Sequence, residues 1–120
     1  MNATLYGIRN CDTVKKARKW LEAHEVNYTF HDFRDDGLDP RTLSKWTAQL
    51  GWEALLNRRS TSWRQLEEAD RTGLDATKAK ALMLRQPTLI KRPVLEGQDQ
   101  VLVGFSEQTY QGLFDGDEPN

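Results

Sequence analysis

The first 33 residues show two hydrophobic periodicities in succession, and this pattern restricts the fold more than any other feature. β-Branched and aromatic residues predict a strand over residues 4–8. Apolar residues then recur at helical spacing over residues 10–24, and apolar and polar residues alternate over 26–33, as in a half-buried strand. Strand, helix and strand so close together predict a βαβ unit with parallel strands and a right-handed crossover.

A block of helices is predicted for residues 39–86. Asp39 followed by Pro40 predicts a helix start, because Asp is a strong N-cap and Pro is favoured at the first helical position. Ser62 begins a sequence with the spacing of a capping box, which predicts a short helix over residues 63–68. The block is therefore expected to be all-helical.

The segments around this block predict the rest of the architecture. Residues 35–38 predict a loop, and residues 75–85 predict the last helix of the block, capped by its first residue. Residues 88–90 predict a short strand, residues 94–103 a β-hairpin followed by a final helix, and residues 115–120 a polar tail. The element order, βαβ, helices, then ββα, predicts an α/β (α+β) fold with a mixed sheet and a helical insert.

Cys11 is the single cysteine of the chain and is expected at the start of the first helix. Unpaired N–H groups and the helix dipole favour a thiolate there, and Lys15 follows one turn later on the same face. Asn10, Thr13 and Lys15 are therefore candidates for stabilising the thiolate or binding substrate. Thr13 could instead cap the helix, Lys15 could belong to a solvated face, and a lone cysteine is often a small buried hydrophobe.

Composition and charge narrow the classes of function. The 120 residues include 17 basic and 18 acidic side chains, giving a net charge of −1, so neither nucleic acid nor an acidic membrane surface is an expected partner. The sequence shows no secretory signal and no apolar run long enough to span a membrane, so a cytoplasmic location is expected. One cysteine cannot form an internal disulfide, and His24 and His31 lack metal-ligand spacing, so no metal site is expected.

Three motifs in order resemble the ArsC/Spx family of arsenate reductase-like proteins, and most resemble its YffB branch. They are NCDTVKKA at residues 10–17, LLNRR at 55–59 and PTLIKRPV at 87–94. The resemblance extends from Thr4 to about Phe114 and implies a thioredoxin fold. It implies one domain over residues 1–120, with a thioredoxin-like core at about 3–34 and 87–114, a helical insert at about 39–86 and a polar tail at 115–120.

The resemblance also implies roles for individual residues. Cys11 would be the redox-active thiol, and Pro93 would be preceded by a cis peptide bond and lie against that thiol. Arg92 would help to bind an oxyanion or glutathione. Arg59 matches an arginine shared by the YffB and Spx branches, although whether Arg58 or Arg59 faces the thiol stays open.

Two departures from the family pattern affect the expected function. Arsenate reductases carry an arginine where this chain has Gly104, so the full arginine cradle for arsenate is missing. Spx regulators usually carry a second cysteine where this chain has Val14, so an internal dithiol switch is excluded.

The expected function is a glutathione-dependent monothiol reductase that uses Cys11 as a thiolate nucleophile. Such a thiol-dependent oxidoreductase would act on a small thiol or disulfide substrate, with glutathione as co-substrate and no tightly bound cofactor. Two alternatives stay open: arsenate reductase, and a non-enzymatic, Spx-like regulator that binds RNA polymerase.

Overall fold

The computed structural model describes residues 2–97 and 99–115, with side chains described for 3–97 and 99–114. The chain forms two compact units, one made of Met1–Asp32 with Arg92–Asn120 and the other of Phe33–Lys91. The prediction of a single domain over residues 1–120 stays a prediction. Most of the predicted polar tail, residues 116–120, lies outside the described residues.

The strands lie toward the two ends of the described chain, and a run of helices fills its middle. Their bounds, in chain order, are β1 Asn2–Gly7, α1 Asp12–Ala23, β2 Asn27–Asp32, α2 Phe33–Asp36, α3 Pro40–Leu50, α4 Trp52–Leu55, α5 Thr61–Arg64, α6 Glu68–Arg71, α7 Ala76–Arg85, a 3-10 helix Pro87–Leu89, β3 Val94–Glu96, β4 Val101–Val103 and α8 Glu107–Asp115.

A four-stranded mixed sheet forms the centre of the first unit, in the order β2-β1-β3-β4. β1 runs parallel to β2, whereas the β1–β3 and β3–β4 pairs are antiparallel. This topology confirms the predicted βαβ unit and the later hairpin. Gly7 and Asp32, the last residues of β1 and β2, pair with each other. Val94, the first residue of β3, pairs with Tyr6 of β1 and with Val103, the last residue of β4. Strands β1, β2 and β4 therefore end on the side of the sheet where β3 begins. We call this side of the sheet the carboxyl edge.

Helix α1 packs one apolar face on the sheet. Its buried residues are Val14, Ala17, Trp20 and Leu21, which confirms the helical spacing predicted from the sequence. Together with Tyr110 of α8, these side chains belong to one core cluster that also includes residues of β1 and β3.

The turn from β1 to α1 requires a glycine at its start. A Cβ atom added to Gly7 would lie 2.7 Å from Cγ2 of Val14, closer than side chains approach one another in proteins. The absent side chain therefore allows the end of β1 and the first turn of α1 to come into contact. This contact fixes the entry into α1, where Cys11 stands.

The second unit is helical, as predicted. The Asp39 side chain accepts a hydrogen bond from the Arg41 N–H at 2.8 Å, and Pro40 occupies the first position of α3. Asp75 caps α7 in the same way, since it accepts from the Lys78 N–H at 2.8 Å. Helix α3 packs against α4 and α7. The buried apolar side chains of this unit are Phe33, Leu43, Trp46, Leu55, Leu56, Ala79, Leu82, Met83, Leu89 and Ile90.

One predicted helix start in the second unit was wrong. Ser60, and not Ser62, caps α5, because its hydroxyl accepts from the Trp63 N–H at 3.1 Å. The hydroxyl of Ser62 instead lies 2.6 Å from that of Thr88. The cap therefore stands two residues earlier, and the helix spans Thr61–Arg64.

Two further local predictions were also wrong. Residues 88–90 do not form a strand: Pro87 begins a 3-10 helix, as its fixed φ favours, and only Ile90 forms a bridge, to Leu56. Residues 35–38 are not all loop, because the short helix α2 spans Phe33–Asp36. Phe33 is buried at the start of α2, and a single buried aromatic gives no helical periodicity in the sequence.

Candidate functional site

Cys11 is the N-cap residue of α1, as the sequence predicted. Its backbone is extended, with φ −146° and ψ 123°, and its carbonyl accepts the Lys15 N–H at 2.9 Å. Its side chain makes no capping hydrogen bond, so the sulfur is not engaged by the helix end. Cys11 is half-exposed as a residue and packs against the core cluster of the first unit. A cysteine at a helix N-terminus lies near unpaired N–H groups, which favour its thiolate.

The candidate residues that flank Cys11 in the sequence are open to solvent. Asn10, Thr13 and Lys15 are all exposed, and Asp12 adds an acidic side chain in the first turn. No side-chain hydrogen bond of Thr13 occurs within residues 3–97 and 99–114, so Thr13 does not cap the helix. These side chains can therefore turn toward a bound anion.

Pro93 lies at the carboxyl edge of the sheet, in the same unit as Cys11. The Arg92–Pro93 peptide bond is cis, as the family resemblance implied. The Pro93 carbonyl accepts the Gly104 N–H at 2.8 Å, and the next residue, Val94, pairs with Tyr6 of β1. Arg92 is half-buried, and its Nε atom is shielded from solvent. The register thus brings Arg92 and Pro93 to the side of the sheet where the segment containing Cys11 leaves β1.

A buried carboxylate supports the segment before Cys11. Asp32, at the end of β2, is 4% exposed, and its Oδ2 accepts the Arg9 N–H at 3.0 Å. The Arg9 guanidinium lies 3.8 Å from the same oxygen. In the sequence, a carboxylate at the end of a strand gives no sign of its partner. The position of Asp32 at the end of the strand parallel to β1 is the one signal that could have linked it to this site.

Gly104 is the residue at which the family resemblance implies an arginine in arsenate reductases. Its φ is +81°, a left-handed backbone conformation that residues other than glycine rarely adopt. Its carbonyl accepts a hydrogen bond from the hydroxyl of Tyr110 at 3.4 Å. Burial raises the pKa of Tyr110 well above its ordinary value, so the phenol stays protonated and can donate this bond.

The two arginine candidates of the LLNRR motif lie in the second unit and differ in their surroundings. The Arg58 guanidinium carbon lies 5.8 Å from the centroid of the Trp63 ring, a cation–π contact. The Arg59 N–H donates to Oδ1 of Asn57 at 3.0 Å, while its exposed side chain makes no hydrogen bond or ion pair to the residues described. Which of the two faces the thiol stays a prediction.

Neither a metal-binding cluster nor a membrane-spanning helix is found among the described residues. No group of three or more His, Cys, Asp or Glu side chains is arranged to hold a metal ion there. Among the described helices, none is long and apolar enough to cross a membrane.

Solved structures and curated proteins similar to this chain cover most of its length. A solved structure described as a YffB protein is 50% identical, covers 92% of this chain and 96% of its own, and has a TM-score of 0.89. An arsenate reductase (ArsC) related protein from Brucella melitensis is also 50% identical, with a TM-score of 0.74 and 95% of each chain covered. These structures share the thioredoxin-like α/β fold.

Relatives known by sequence point to the same family. An uncharacterized protein of Haemophilus influenzae is 49% identical over 111 residues, covering 92% of this chain and 97% of its own. The global transcriptional regulator Spx of Lactiplantibacillus plantarum is 24% identical over 105 residues, covering 86% of this chain and 79% of its own. The ArsC family model matches residues 6–113, which include Cys11, Arg59 and Pro93, and the chain therefore belongs to the ArsC family.

Proposed function

We propose that this protein is a glutathione-dependent monothiol reductase with Cys11 as its nucleophile. The observation that carries the proposal is the state of Cys11, which is half-exposed as a residue at the N-terminus of α1 and whose side chain makes no capping bond. Family membership supports a thiol-based reduction. The chain has no second cysteine, so an external thiol has to complete each cycle.

The reaction consists of two thiol–disulfide exchanges. The Cys11 thiolate attacks the glutathione sulfur of a mixed disulfide between glutathione and a substrate thiol. The old S–S bond breaks, a Cys11–glutathione disulfide forms, and the substrate leaves as a thiolate that takes a proton from water. A second glutathione, as thiolate, then attacks the glutathione sulfur of this adduct. This step releases the Cys11 thiolate and oxidised glutathione, so the substrate is reduced and two glutathione sulfurs become a disulfide.

The basic residues of the site have roles in binding under this proposal. Arg92 would hold a carboxylate of glutathione by a charge-assisted hydrogen bond, and Lys15 would favour the thiolate of Cys11. Asn10 and Thr13, both exposed beside Cys11, would donate hydrogen bonds to the thiolate or to bound glutathione. Pro93 would bound one side of the substrate position, and Arg59 would add a second positive charge.

The test is turnover of a glutathione mixed disulfide, coupled to NADPH oxidation through glutathione reductase. We expect the wild-type protein to turn over and both Cys11→Ser and Cys11→Ala to lose at least ~100-fold in rate, because the nucleophile is gone. Arg92→Lys, which keeps the charge, should retain more activity than Arg92→Ala. Full activity in either Cys11 variant would contradict the proposal.

Arsenate reduction is the second candidate, because a relative 50% identical is described as arsenate reductase related. Gly104 argues against it, since this position lacks the arginine and its φ of +81° disfavours one. Replacing the mixed disulfide by arsenate in the same assay separates the two reactions.

The Spx-like regulatory role is also open to test, since curated relatives include a protein named as a global transcriptional regulator. Pull-down of RNA polymerase by the tagged full chain would support this role. Normal turnover without such capture would support the reductase.

A further inference from the structure

We infer that a groove beside α1 binds an acidic peptide segment with one large apolar side chain, contributed by the protein whose disulfide Cys11 reduces. The inference deepens the proposed function, since it names a protein substrate, and it rests on that function for the redox step. Binding in the groove is a separate event and can be measured without turnover.

The groove, called the α1 groove below, has a volume of about 360 Å³. Trp20, Ala23 and Phe105 supply its apolar lining, Lys16, Lys19 and Glu107 supply its charged lining, and the His24 ring completes the lining. Pockets of this size and mixed lining are typical of sites that bind one bulky side chain or a small ligand. Glutathione has carboxylates but no large apolar side chain, so it does not match the apolar part.

Aromatic contacts hold the apolar lining in place. The Trp20 ring stacks on His24 at 3.8 Å between centroids and contacts the edge of Tyr110 at 5.6 Å. Phe105 meets Tyr110 edge-on at 4.9 Å. Because Tyr110 is buried in the core, both rings are fixed before a ligand arrives, so an inserted side chain need not reorganise the groove.

The charges of the α1 groove favour a negative ligand. Lys16 and Lys19 are exposed, three residues apart on one face of α1, and neither forms an ion pair with a residue whose side chain is described. Glu107 is the acidic residue of the lining, so the lining carries two positive charges and one negative charge. Carboxylates beside the apolar side chain would therefore be complementary.

The groove follows Cys11 along the same helix. Lys16 lies five residues after Cys11, or about 7.5 Å along the axis, and Ala23 lies about 18 Å along it. An extended peptide covers ~3.3 Å per residue, so the axial separation alone takes about two to six residues. The rotation of about 100° per residue around the helix lengthens the path from the reactive sulfur to an anchor in the groove. The groove is lined by α1 and by the segment that follows β4, which includes Phe105. Because β4 ends at the carboxyl edge, both segments start on the side of the sheet that carries Cys11.

The test is fluorescence polarisation with the full chain and a labelled peptide, Glu-Asp-Phe-Glu-Ser-Gly. We expect saturable binding that weakens with salt and falls about tenfold in Lys16→Glu/Lys19→Glu, because attraction becomes repulsion at two positions. Ala23→Gln, which enlarges one lining side chain without changing the charge, should also weaken binding. The control Arg41→Glu/Arg64→Glu makes the same charge change on exposed residues of the second unit and should bind as wild type.

Three results would overturn the inference. The first is equal binding of the same peptide with Phe replaced by Ala or with its acids replaced by Gln. The second is a dimer of the chain that Lys16→Glu/Lys19→Glu dissolves, because the groove would then bind a second copy. The third is unchanged binding in both groove variants. Turnover of a small mixed disulfide is read separately, so failure of the peptide binding and failure of the reductase function are distinguishable.

Discussion

The backbone N–H of Arg9 donates a hydrogen bond to Oδ2 of Asp32 over 3.0 Å, and this bond ties the segment before Cys11 to the end of β2. Asp32 is 4% exposed whereas Arg9 is exposed, so the bond is partly shielded from water. Two contacts therefore position the thiol. The close approach of Gly7 to Val14 fixes the start of the turn between β1 and α1, and the bond to Asp32 fixes the middle of that turn.

Removing the Asp32 carboxylate should destabilise the protein. Asp32→Ala leaves the partly buried Arg9 N–H without this acceptor, so we expect the free energy of unfolding to fall by about 1–3 kcal/mol in urea titrations. Asp32→Asn keeps an acceptor oxygen and should lose less. Asp36→Ala, at an exposed position, is the control and should change stability little. Equal stability of Asp32→Ala and Asp36→Ala would refute the positioning role.

The two arginines of the LLNRR motif should differ in their effect on substrate binding. Under the binding role proposed for Arg59, Arg59→Ala should raise KM for the glutathione mixed disulfide by about tenfold, because that role consists of a charge-assisted contact. Arg58→Ala should change KM less than about twofold, since the Arg58 guanidinium already contacts Trp63. Steady-state kinetics of both variants decide the matter, and the reverse order of effects would assign the role to Arg58.

Tyr110 should make stability fall at alkaline pH. Burial raises its pKa, so above the ordinary pKa of about 10 the native state keeps a proton that the unfolded chain loses. Stability is thus fully present below about pH 10 and falls as the pH rises above it.

The slope of stability against pH is the measurement for Tyr110. Tyr110→Phe should flatten the fall of the free energy of unfolding between about pH 9.5 and 11, whatever its stability at neutral pH. Tyr28→Phe is the control: burial also raises the pKa of Tyr28, but its half-exposed side chain should contribute less. A wild-type slope in Tyr110→Phe would contradict the account.

Gly104 should resist substitution because of its backbone conformation. Gly104→Arg is expected to cost about 1–2 kcal/mol, since φ is +81° there, and Gly104→Asn should cost less because Asn tolerates this region better. Gly112→Ala is the control: no atom lies near its added Cβ, and Ala favours a helix, so stability should hold or rise. Thermal unfolding of the three variants gives the comparison, and a Gly104→Arg protein as stable as wild type would refute the constraint.

The sequence could predict those features that depend on residues close together in the chain. The βαβ unit, the Asp39 and Asp75 caps and the helical start at Cys11 follow from periodicity and from neighbouring residues. The Ser60 cap was missed because Ser62 has the better capping-box pattern in the sequence. In the structure the hydroxyl of Ser62 contacts that of Thr88 instead of capping a helix. The Arg9–Asp32 bond spans 23 positions, and the surroundings of Arg58 depend on Trp63, so neither was visible in a linear pattern.

The most direct test of the central claim is to mix the protein with one equivalent of a glutathione mixed disulfide, without free glutathione, and to record the intact mass. We predict a gain of one glutathione, located on Cys11 by peptide mapping, together with one equivalent of released substrate thiol. Added glutathione should then restore the original mass and yield oxidised glutathione. Turnover without any adduct on Cys11, or an adduct that glutathione cannot remove, would contradict the account.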